Sequence, residues 1–357
     1  MRTLVVTEPG AELRVHEGYC LVLRGKAELQ RIRLSEISRI LLFGPVQPST
    51  AILSWALRAG ADLVFFDGTG RCRGRLVGPR SGNVALRLAQ LRFLDDPEKQ
   101  LELARRIVEG KIRNQRALLL RAQRERPERD LALALYGLRE DLAALSVAPG
   151  LDHVRGCEGS AASRYFQVFG RLILDSRFPF GGRTRRPPLD AVNACLSFGY
   201  ALLQGRVDSL AERVGLDPMI GALHEPRCGR PSLSLDLMEE WRPALIDALV
   251  LRLLNRRQLS PFDFGPPERD EVERVFAEDP RTATETEDEE PSPEGIYLRP
   301  PARKILIRAF QRRLRDPARS AVNAMARTYE DALEAQVHHL GRVLLGSDSQ
   351  YLPFLLR

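Results

Sequence analysis

The chain has 357 residues, of which 44% are hydrophobic and 28% are charged. This composition is typical of a folded globular protein and excludes the intrinsically disordered and membrane-embedded classes. A single hydrophobic core stops growing below this length, so we expect two domains, each with its own core. The formal net charge of +7 favours a polyanionic partner such as a nucleic acid.

The basic residues are nearly all arginine, and lysine occurs at four positions only. Arginine binds phosphate oxygens in a bidentate way, which suits a nucleic-acid partner. Codon bias in a GC-rich genome explains the arginine excess equally well. The expectation of a polyanionic partner therefore rests on the net charge and not on the ratio of arginine to lysine.

The five cysteines are widely scattered and form no C-x-x-C pair. This pattern argues against a disulfide framework and against a zinc site, and it favours a reducing, cytoplasmic location. The first residues lack the apolar stretch of a signal peptide, and no apolar run approaches the roughly 20 residues that a membrane helix needs. We expect neither export nor membrane association.

Up to about residue 80, short β-prone runs are separated by turn residues, and one helix is predicted over Ser49–Ala59. The stretch Gly68–Gly74 follows a strand but precedes no helical pattern, which indicates a hairpin turn rather than a dinucleotide-binding loop. The predicted strands are Thr3–Thr7, Leu13–His16, Tyr19–Arg24, Glu28–Leu34, Ile40–Phe43, Leu63–Phe66 and Arg71–Val77.

From about Asn83 the apolar residues recur with a period of 3.6, which predicts a helical domain. Prolines stand at or just before many of the predicted helix starts, where a missing N–H costs little. The fold class is therefore α+β, with a small N-terminal β-rich domain over residues 1–82 and a larger all-α C-terminal domain over 83–357. The predicted helices are Val84–Leu94, Glu98–Arg124, Glu128–Ser146, Cys157–Asp175, Leu189–Leu203, Leu233–Arg257, Ala302–Arg315 and Ala318–Leu345.

One segment of the C-terminal domain has no apolar periodicity. At about 278–293 the sequence is acidic, rich in threonine and flanked by proline, which predicts a mobile surface loop that repels nucleic acid. A short β-prone piece, Ile296–Leu298, follows this acidic loop.

The densest chemical signal is a group of acids and one histidine in apolar, helical surroundings. Asp236 and Glu239 are three residues apart on one predicted helix, so their Cβ atoms lie roughly 5 to 6 Å apart on the same face. Leucine, methionine and tryptophan surround them, and unpaired charge would be costly there. A divalent cation between the carboxylates would offset that cost.

Two further residues complete a candidate metal site. His224 and Glu158 give the acids an oxygen-rich ligand set with one nitrogen, which suits Mg²⁺ or Mn²⁺ better than zinc. Each residue also has a plainer explanation, because a helical glutamate is usually solvated and a lone histidine is more often structural. The loop after His224 carries Arg227 and Arg230, and arginine beside a metal ion is typical of phosphate chemistry.

Three more side chains are candidates for binding DNA phosphates. Arg164 and Tyr165 lie about two turns beyond the candidate glutamate on the same helix. Arg186 lies with Arg183 and Arg185 in a glycine-rich loop that could follow a DNA backbone. For Tyr165 a place in the core is an equally good interpretation, and for the loop arginines simple solvation is nearly as good.

Several motifs occur in a fixed order along the helical part of the chain. They are Gly156-Cys-Glu-Gly-x-x-Ala-x-Arg-Tyr-Phe166, Arg186-Pro-Pro-x-Asp-x-x-Asn193, Leu196-Ser-Phe-Gly-Tyr200, Gly221-x-Leu-His224 and Ser232-Leu-x-Leu-Asp-Leu-Met-Glu-Glu-x-Arg-Pro243. Together they resemble the CRISPR-associated integrase family, the larger member of the universal adaptation pair. Gly110–Gln115 and Arg303–Ile307 extend the resemblance over nearly the whole chain.

The resemblance implies a metal-dependent DNA integrase and endonuclease that inserts new spacers into a CRISPR array by 3′-hydroxyl attack on phosphodiesters at the repeat ends. It implies that the helical domain is catalytic and that Glu158, His224 and Glu239 bind Mg²⁺ or Mn²⁺, with Asp236 as an additional acid. Glu240 also lies near Asp236 on a helix, so the preference for Glu239 comes from the resemblance alone. Whether His224 is a ligand or a proton shuttle stays open.

The resemblance also implies partners. These are double-stranded DNA (protospacer and CRISPR repeat), a homodimer formed through the β-rich domain, and a small ferredoxin-like adaptation protein in a heterohexamer. One alternative is a structure-specific DNA nuclease acting on branched repair intermediates. A second is a non-catalytic, basic DNA-binding scaffold in which the acids are structural.

Overall fold

The computed structural model describes residues 2–67, 70, 72–78, 83–267, 294–319 and 322–356. The acidic loop predicted at 278–293 lies outside these residues. None of the helices in the described ranges is long and apolar enough to cross a membrane.

The N-terminal part consists of short strands and one helix. They are β1 (Arg2–Val6), β2 (Glu12–His16), β3 (Tyr19–Arg24), β4 (Ala27–Arg33), β5 (Ile37–Phe43), β6 (Gln47–Pro48), α1 (Thr50–Ala59), β7 (Asp62–Phe66) and β8 (Cys72–Leu76). All seven predicted strands and the predicted helix are present, and the two-residue β6 is additional. One sheet has the order β1–β5–β7–β8 and the other β4–β3–β2–β6.

Strand β5 shows how the two parts of the chain join. Its side chains alternate between the two faces of its sheet. Ile40 and Leu42 enter a core between the two sheets and α1, whereas Leu41 and Phe43 enter the helical core. There the Phe43 ring lies 6.0 Å from that of Phe198. The first sheet is therefore buried on both faces, and the β-rich part packs directly on the helices.

The C-terminal part is helical, as predicted. Its elements are α2 (Val84–Leu94), α3 (Pro97–Glu125), α4 (Arg129–Ser146), α5 (Leu151–Phe169), α6 (Ala191–Val214), α7 (Ser232–Met238), a π-helix (Arg242–Asp247), α8 (Ala248–Asn255), α9 (Pro300–Arg315) and α10 (Tyr329–Leu344). One pair of two-residue strands, β9 (Phe264–Gly265) and β10 (Tyr297–Leu298), interrupts it. The α+β class is confirmed, but the second part is not purely helical.

Three helices differ from the predicted ranges. α5 begins six residues earlier, at Leu151, directly after the Pro149–Gly150 pair, and it also ends six residues earlier, at Phe169. α6 runs eleven residues further, to Val214, and ends at Gly215, which adopts a left-handed conformation with φ 103°. α10 begins only at Tyr329, and the side chain of the preceding Thr328 caps it by accepting a hydrogen bond from the Asp331 N–H.

The predicted helix Leu233–Arg257 is broken at the position that matters most. α7 ends at Met238, and a π-helix begins at Arg242. Pro243 has no N–H, so it cannot donate to the carbonyl of residue 239, and the regular ladder of hydrogen bonds stops there. Glu239 and Glu240 therefore lie in the break and are not part of a continuous helix.

Candidate active site

Four segments that are distant in sequence meet at one cleft. α3 carries Lys111, α5 carries Glu158, the loop before α7 carries His224, and Glu239 directly follows α7. The side chains of Glu158 and His224 are 25% and 23% exposed, whereas those of Lys111 and Glu239 are 5% and 3% exposed. Solvent therefore reaches Glu158 and His224, whereas Lys111 and Glu239 are buried.

Glu239 lies between two cations. Its Oε2 atom is 2.6 Å from Lys111 Nζ, and its Oε1 atom is 3.1 Å from an Arg242 guanidinium nitrogen. Burial alone raises the pKa of Glu239, but Arg242, Lys111 and His224 outweigh burial and lower this pKa to about 2. The Glu239 carboxylate is therefore ionised throughout the physiological pH range.

Lys111 joins this carboxylate to the second one. Its ammonium contacts Glu158 Oε1 as well as Glu239 Oε2. The two acids thus converge on a single positive charge, although 81 residues separate them in the sequence.

Asp236 holds His224 in place. One of its oxygens accepts hydrogen bonds from the backbone N–H groups of Ala222 and Leu223, at 2.6 and 2.9 Å. The other lies 3.0 Å from the His224 backbone nitrogen and 2.6 Å from His224 Nδ1. Both oxygens of this fully buried carboxylate are therefore occupied. The loop approaches so closely because residue 221 is glycine, where a Cβ would lie 2.5 Å from Asp236 Oδ2.

Glu240 points away from the cleft. Its side chain accepts hydrogen bonds from the Tyr351 hydroxyl at 3.0 Å and from the Phe354 N–H at 2.9 Å. Burial raises the pKa of Glu240 to about 8. α3 passes close behind it, because a Cβ at Gly110 would lie 3.1 Å from the Glu240 Cβ. The geometry therefore separates Glu239, which faces the other site residues, from Glu240, which does not.

Tyr165 lies behind the site and not at a DNA-binding surface. It is fully buried, and its hydroxyl donates to Asp247 at 2.9 Å. Tyr200 donates to the other Asp247 oxygen at 2.6 Å, and Arg242 lies over the Tyr200 ring at 4.8 Å. Burial raises the pKa of Asp247 to about 6. The expected contact of Tyr165 with DNA is wrong for this structure, because no part of the side chain reaches the surface.

The candidate DNA-binding arginines are placed differently from one another. Arg227 is exposed and Arg230 half-buried in the turn that follows His224, closed by a hydrogen bond from Arg230 N to Arg227 O. Arg164, 47% exposed, pairs with Asp141. Arg186 is exposed, whereas Arg183 turns inward and donates to Asn193. The turn at 227–230 is therefore the basic segment next to the site.

The donor set of the cleft fits a hard divalent cation. Two carboxylates and one imidazole provide oxygen and nitrogen ligands, and the buried Glu239 already draws two cations to itself. Within the described residues, no three His, Cys, Asp or Glu side chains already lie together as a metal site. The Lys111 ammonium occupies the place between the two glutamates.

Sequence reasoning missed four residues of this arrangement. They are Lys111, Tyr200, Arg242 and Asp247. Lys111 carried a usable signal, because its neighbours one helical turn away, Ile107 and Val108, are apolar, and a lysine among such residues needs a counter-charge. Asp247 and Tyr200 carried none, since their contact depends on how α6 packs against the π-helix.

The chain resembles known proteins over its full length. It is 39% identical to a protein named CRISPR-associated endonuclease Cas1 1 from Moorella thermoacetica, over 100% of this chain and 99% of that protein. It is 36% identical to a protein of the same name from Chlorobaculum tepidum, again over 100% and 99%.

Solved structures share the fold. A casposase bound to integration product superimposes with a TM-score of 0.81 at 21% identity, covering 99% of this chain and 93% of that chain. A Cas1 protein from Thermotoga maritima superimposes with a TM-score of 0.76 at 23% identity over 100% of both chains.

Fold and relatives together define a CRISPR-associated enzyme of the endonuclease class. The family model for CRISPR associated protein Cas1 matches residues 4–282. The chain belongs to the Cas1 family.

Proposed function

We propose that this enzyme is a metal-dependent DNA integrase and endonuclease that inserts new spacers into a CRISPR array. The observation that carries the proposal is the convergence of Glu158 and Glu239 on one positive charge beside His224, in a cleft that solvent reaches. A buried carboxylate and a partly buried one held around a single ammonium favour a functional role, because bringing like charges together away from water is costly.

Glu158, His224 and Glu239 would hold Mg²⁺ or Mn²⁺. When bound, such an ion would polarise a phosphodiester and neutralise its developing charge. Asp236 is assigned a different role from the one the sequence suggested. Because both of its oxygens are engaged by His224 and the preceding backbone, it would orient the imidazole, as carboxylates behind histidine ligands commonly do.

The contact with Asp236 also defines which imidazole nitrogen can act. Nδ1 is held 2.6 Å from a carboxylate, which favours a proton on Nδ1, so that the neutral ring would carry its lone pair on Nε2. Nε2 is then available as a ligand or as a proton acceptor. In the proposed reaction a DNA 3′-hydroxyl gives up its proton and attacks a phosphorus at the repeat edge, and its oxygen forms the new P–O bond. The phosphorus stays bound to the 5′ oxygen of the repeat strand, and the 3′ oxygen of the flanking DNA leaves and takes up a proton. With water as the attacking group, the same site would act as a nuclease.

The turn bearing Arg227 and Arg230 supports a DNA substrate at this cleft. It begins three residues after His224, and Arg227 is exposed while Arg230 is half-buried. Such side chains position a DNA backbone without reading its sequence. Arg164 and Arg186, both exposed enough to reach a phosphate, would extend the contact on the same chain.

We further propose that the enzyme acts as a homodimer joined through its β-rich part, and with a small ferredoxin-like protein in a heterohexamer. Two structural neighbours are Cas6-RT-Cas1–Cas2 complexes, one with a TM-score of 0.78 at 23% identity over 100% of this chain and 36% of that chain. Two active sites at a fixed separation would then set the length of the inserted DNA.

The test is strand transfer. A short labelled duplex with free 3′-hydroxyl ends is incubated with the enzyme, the purified small partner, Mn²⁺ and a plasmid that carries CRISPR repeats. Wild type should join the duplex at repeat ends, while His224→Ala and Glu239→Ala should lose joining and still bind DNA. Glu140→Ala, an exposed glutamate on α4, is the matched control and should keep activity.

Each other outcome points to one alternative. Joining that survives both substitutions would assign the acids a structural role and favour the DNA-binding scaffold. Cleavage of branched DNA without any joining at repeats would favour the repair nuclease.

A further inference from the structure

The ammonium group of Lys111 lies between two carboxylates, where a positive charge is favoured. It contacts Glu158 and lies 2.6 Å from Glu239, and its side chain is 5% exposed. Arg242 binds the other oxygen of Glu239, at 3.1 Å. Among the described residues, Lys111 is thus the group that connects the two acids.

We propose that Lys111 is a built-in counter-ion of the site. In the metal-free enzyme it holds the two carboxylates together, and it competes with a divalent cation for the place between them. The inference rests on the proposed metal site and specifies how that site is kept assembled before the metal arrives.

The physical argument starts from repulsion. Without the ammonium, Glu158 and Glu239 would face each other as two like charges in a largely buried cleft, where solvent screens them poorly. A divalent ion held by both acids would compete with the Lys111 ammonium for their negative charge. Ammonium and metal therefore exclude each other at contact distance, and the apparent metal affinity includes the cost of displacing Lys111.

The surroundings allow the side chain of Lys111 to leave without moving its backbone. Three residues further along α3, Asn114 donates to the carbonyls of Glu240 and Phe354, at 2.7 and 2.8 Å. These bonds fix α3 behind the site. The lysine side chain has four flexible methylene groups, and solvent reaches Glu158, so the ammonium can turn toward solvent or a bound phosphate.

The experiment compares full-length wild type with Lys111→Met, whose side chain has similar length and no charge. Mn²⁺ binding is measured by calorimetry, and thermal unfolding is followed in EDTA and in excess Mn²⁺. Lys111→Met should bind Mn²⁺ about tenfold more tightly, or better. In EDTA its melting temperature should fall by about 5 °C or more, and Mn²⁺ should restore most of that loss.

Two controls keep the test decisive. Lys99→Met, at the exposed start of the same helix, should change neither quantity. If Lys111→Met does not fold in EDTA, the double variant Lys111→Met with Glu158→Gln should recover, because one of the two repelling charges is gone. A double variant that fails to recover overturns the counter-ion role.

The remaining outcomes separate the two proposals. If wild type binds Mn²⁺ and Lys111→Met binds it no more tightly, the counter-ion inference is overturned while the metal site stands. If neither protein binds Mn²⁺ at Glu158 and Glu239, the proposed metal-dependent function fails as well.

Discussion

Glu240 accepts a hydrogen bond of 2.9 Å from the backbone N–H of Phe354, although 114 residues separate the two. The Phe354 ring also stacks on Trp241, with ring centroids 4.0 Å apart. Asn114 on α3 binds the same short segment through Phe354 O and Leu356 N. The C-terminal end of the chain therefore packs against the back of the turn that carries Glu239.

This packing predicts a large loss of stability when the ring is removed. Phe354→Ala should lower the free energy of unfolding by about 3–5 kcal/mol, because it leaves a cavity beside Trp241. Leu352→Ala, in the same segment but 39% exposed, should cost less than about 1 kcal/mol. Urea unfolding of both variants measures the difference. Equal, small losses would mean that the segment does not support the site.

Glu240→Gln should make stability less dependent on pH. The pKa of Glu240 is raised from 4.5 to about 8 by burial, so the folded chain keeps this proton to a higher pH than the unfolded chain. Its contribution is fully present below pH 4.5 and is lost as the pH rises through 8. Between pH 5 and pH 8 wild type should therefore lose at least about 1 kcal/mol more stability than Glu240→Gln. Urea unfolding at both pH values tests this, and parallel losses would contradict it.

Asp236→Asn should weaken metal binding without abolishing it. The variant keeps the shape of the side chain but holds the His224 imidazole less firmly, which should cost about 10–100-fold in Mn²⁺ affinity. Asp152→Asn, with a side chain 93% exposed, is the control and should bind normally. Calorimetric titration with Mn²⁺ measures the affinities. A loss as complete as that of Glu239→Gln would make Asp236 a direct ligand.

Arg227 and Arg230 should contribute to DNA affinity in a salt-dependent way. Replacing either with Gln should weaken binding of a short duplex and lower the slope of log affinity against log salt by about 1 for each phosphate that is no longer neutralised. Arg121→Gln, which removes an arginine 81% exposed on α3, should leave the slope unchanged. Fluorescence anisotropy over a series of salt concentrations supplies the slopes. An unchanged slope in the Arg227 and Arg230 variants would place the DNA elsewhere.

Tyr165→Phe should affect stability and not DNA binding. Loss of the hydroxyl removes one of the two tyrosine donors to the buried Asp247, at a cost of about 1–3 kcal/mol. DNA affinity should stay at the wild-type value, since the ring remains buried. Tyr136→Phe, on the exposed face of α4, controls for the substitution itself. Weaker DNA binding with unchanged stability would instead support a direct contact between Tyr165 and DNA.

The sequence by itself determined the order and type of the elements. The apolar run Ile40–Phe43 in β5 and the 3.6-residue period from Val84 onward follow from which residues can be buried in a strand or a helix. Both patterns are local in the sequence. The ordered motifs also identified Glu158, His224 and Glu239, which the structure brings to one cleft. Arg227 and Arg230 follow His224 within one short loop, and their contact with DNA stays a prediction.

Only the tertiary structure decided what each charged residue faces. Glu239 and Glu240 are adjacent, and helical spacing places both near Asp236. The break before Pro243 and the packing of Phe354 orient the two side chains differently. Glu239 faces Lys111, whereas Glu240 faces the C-terminal segment that contains Phe354. Long-range packing also explains why Lys111, Tyr200 and Asp247 lie in or behind the site. Their partners lie tens to more than one hundred residues away, and such contacts depend on how whole helices pack and not on local sequence.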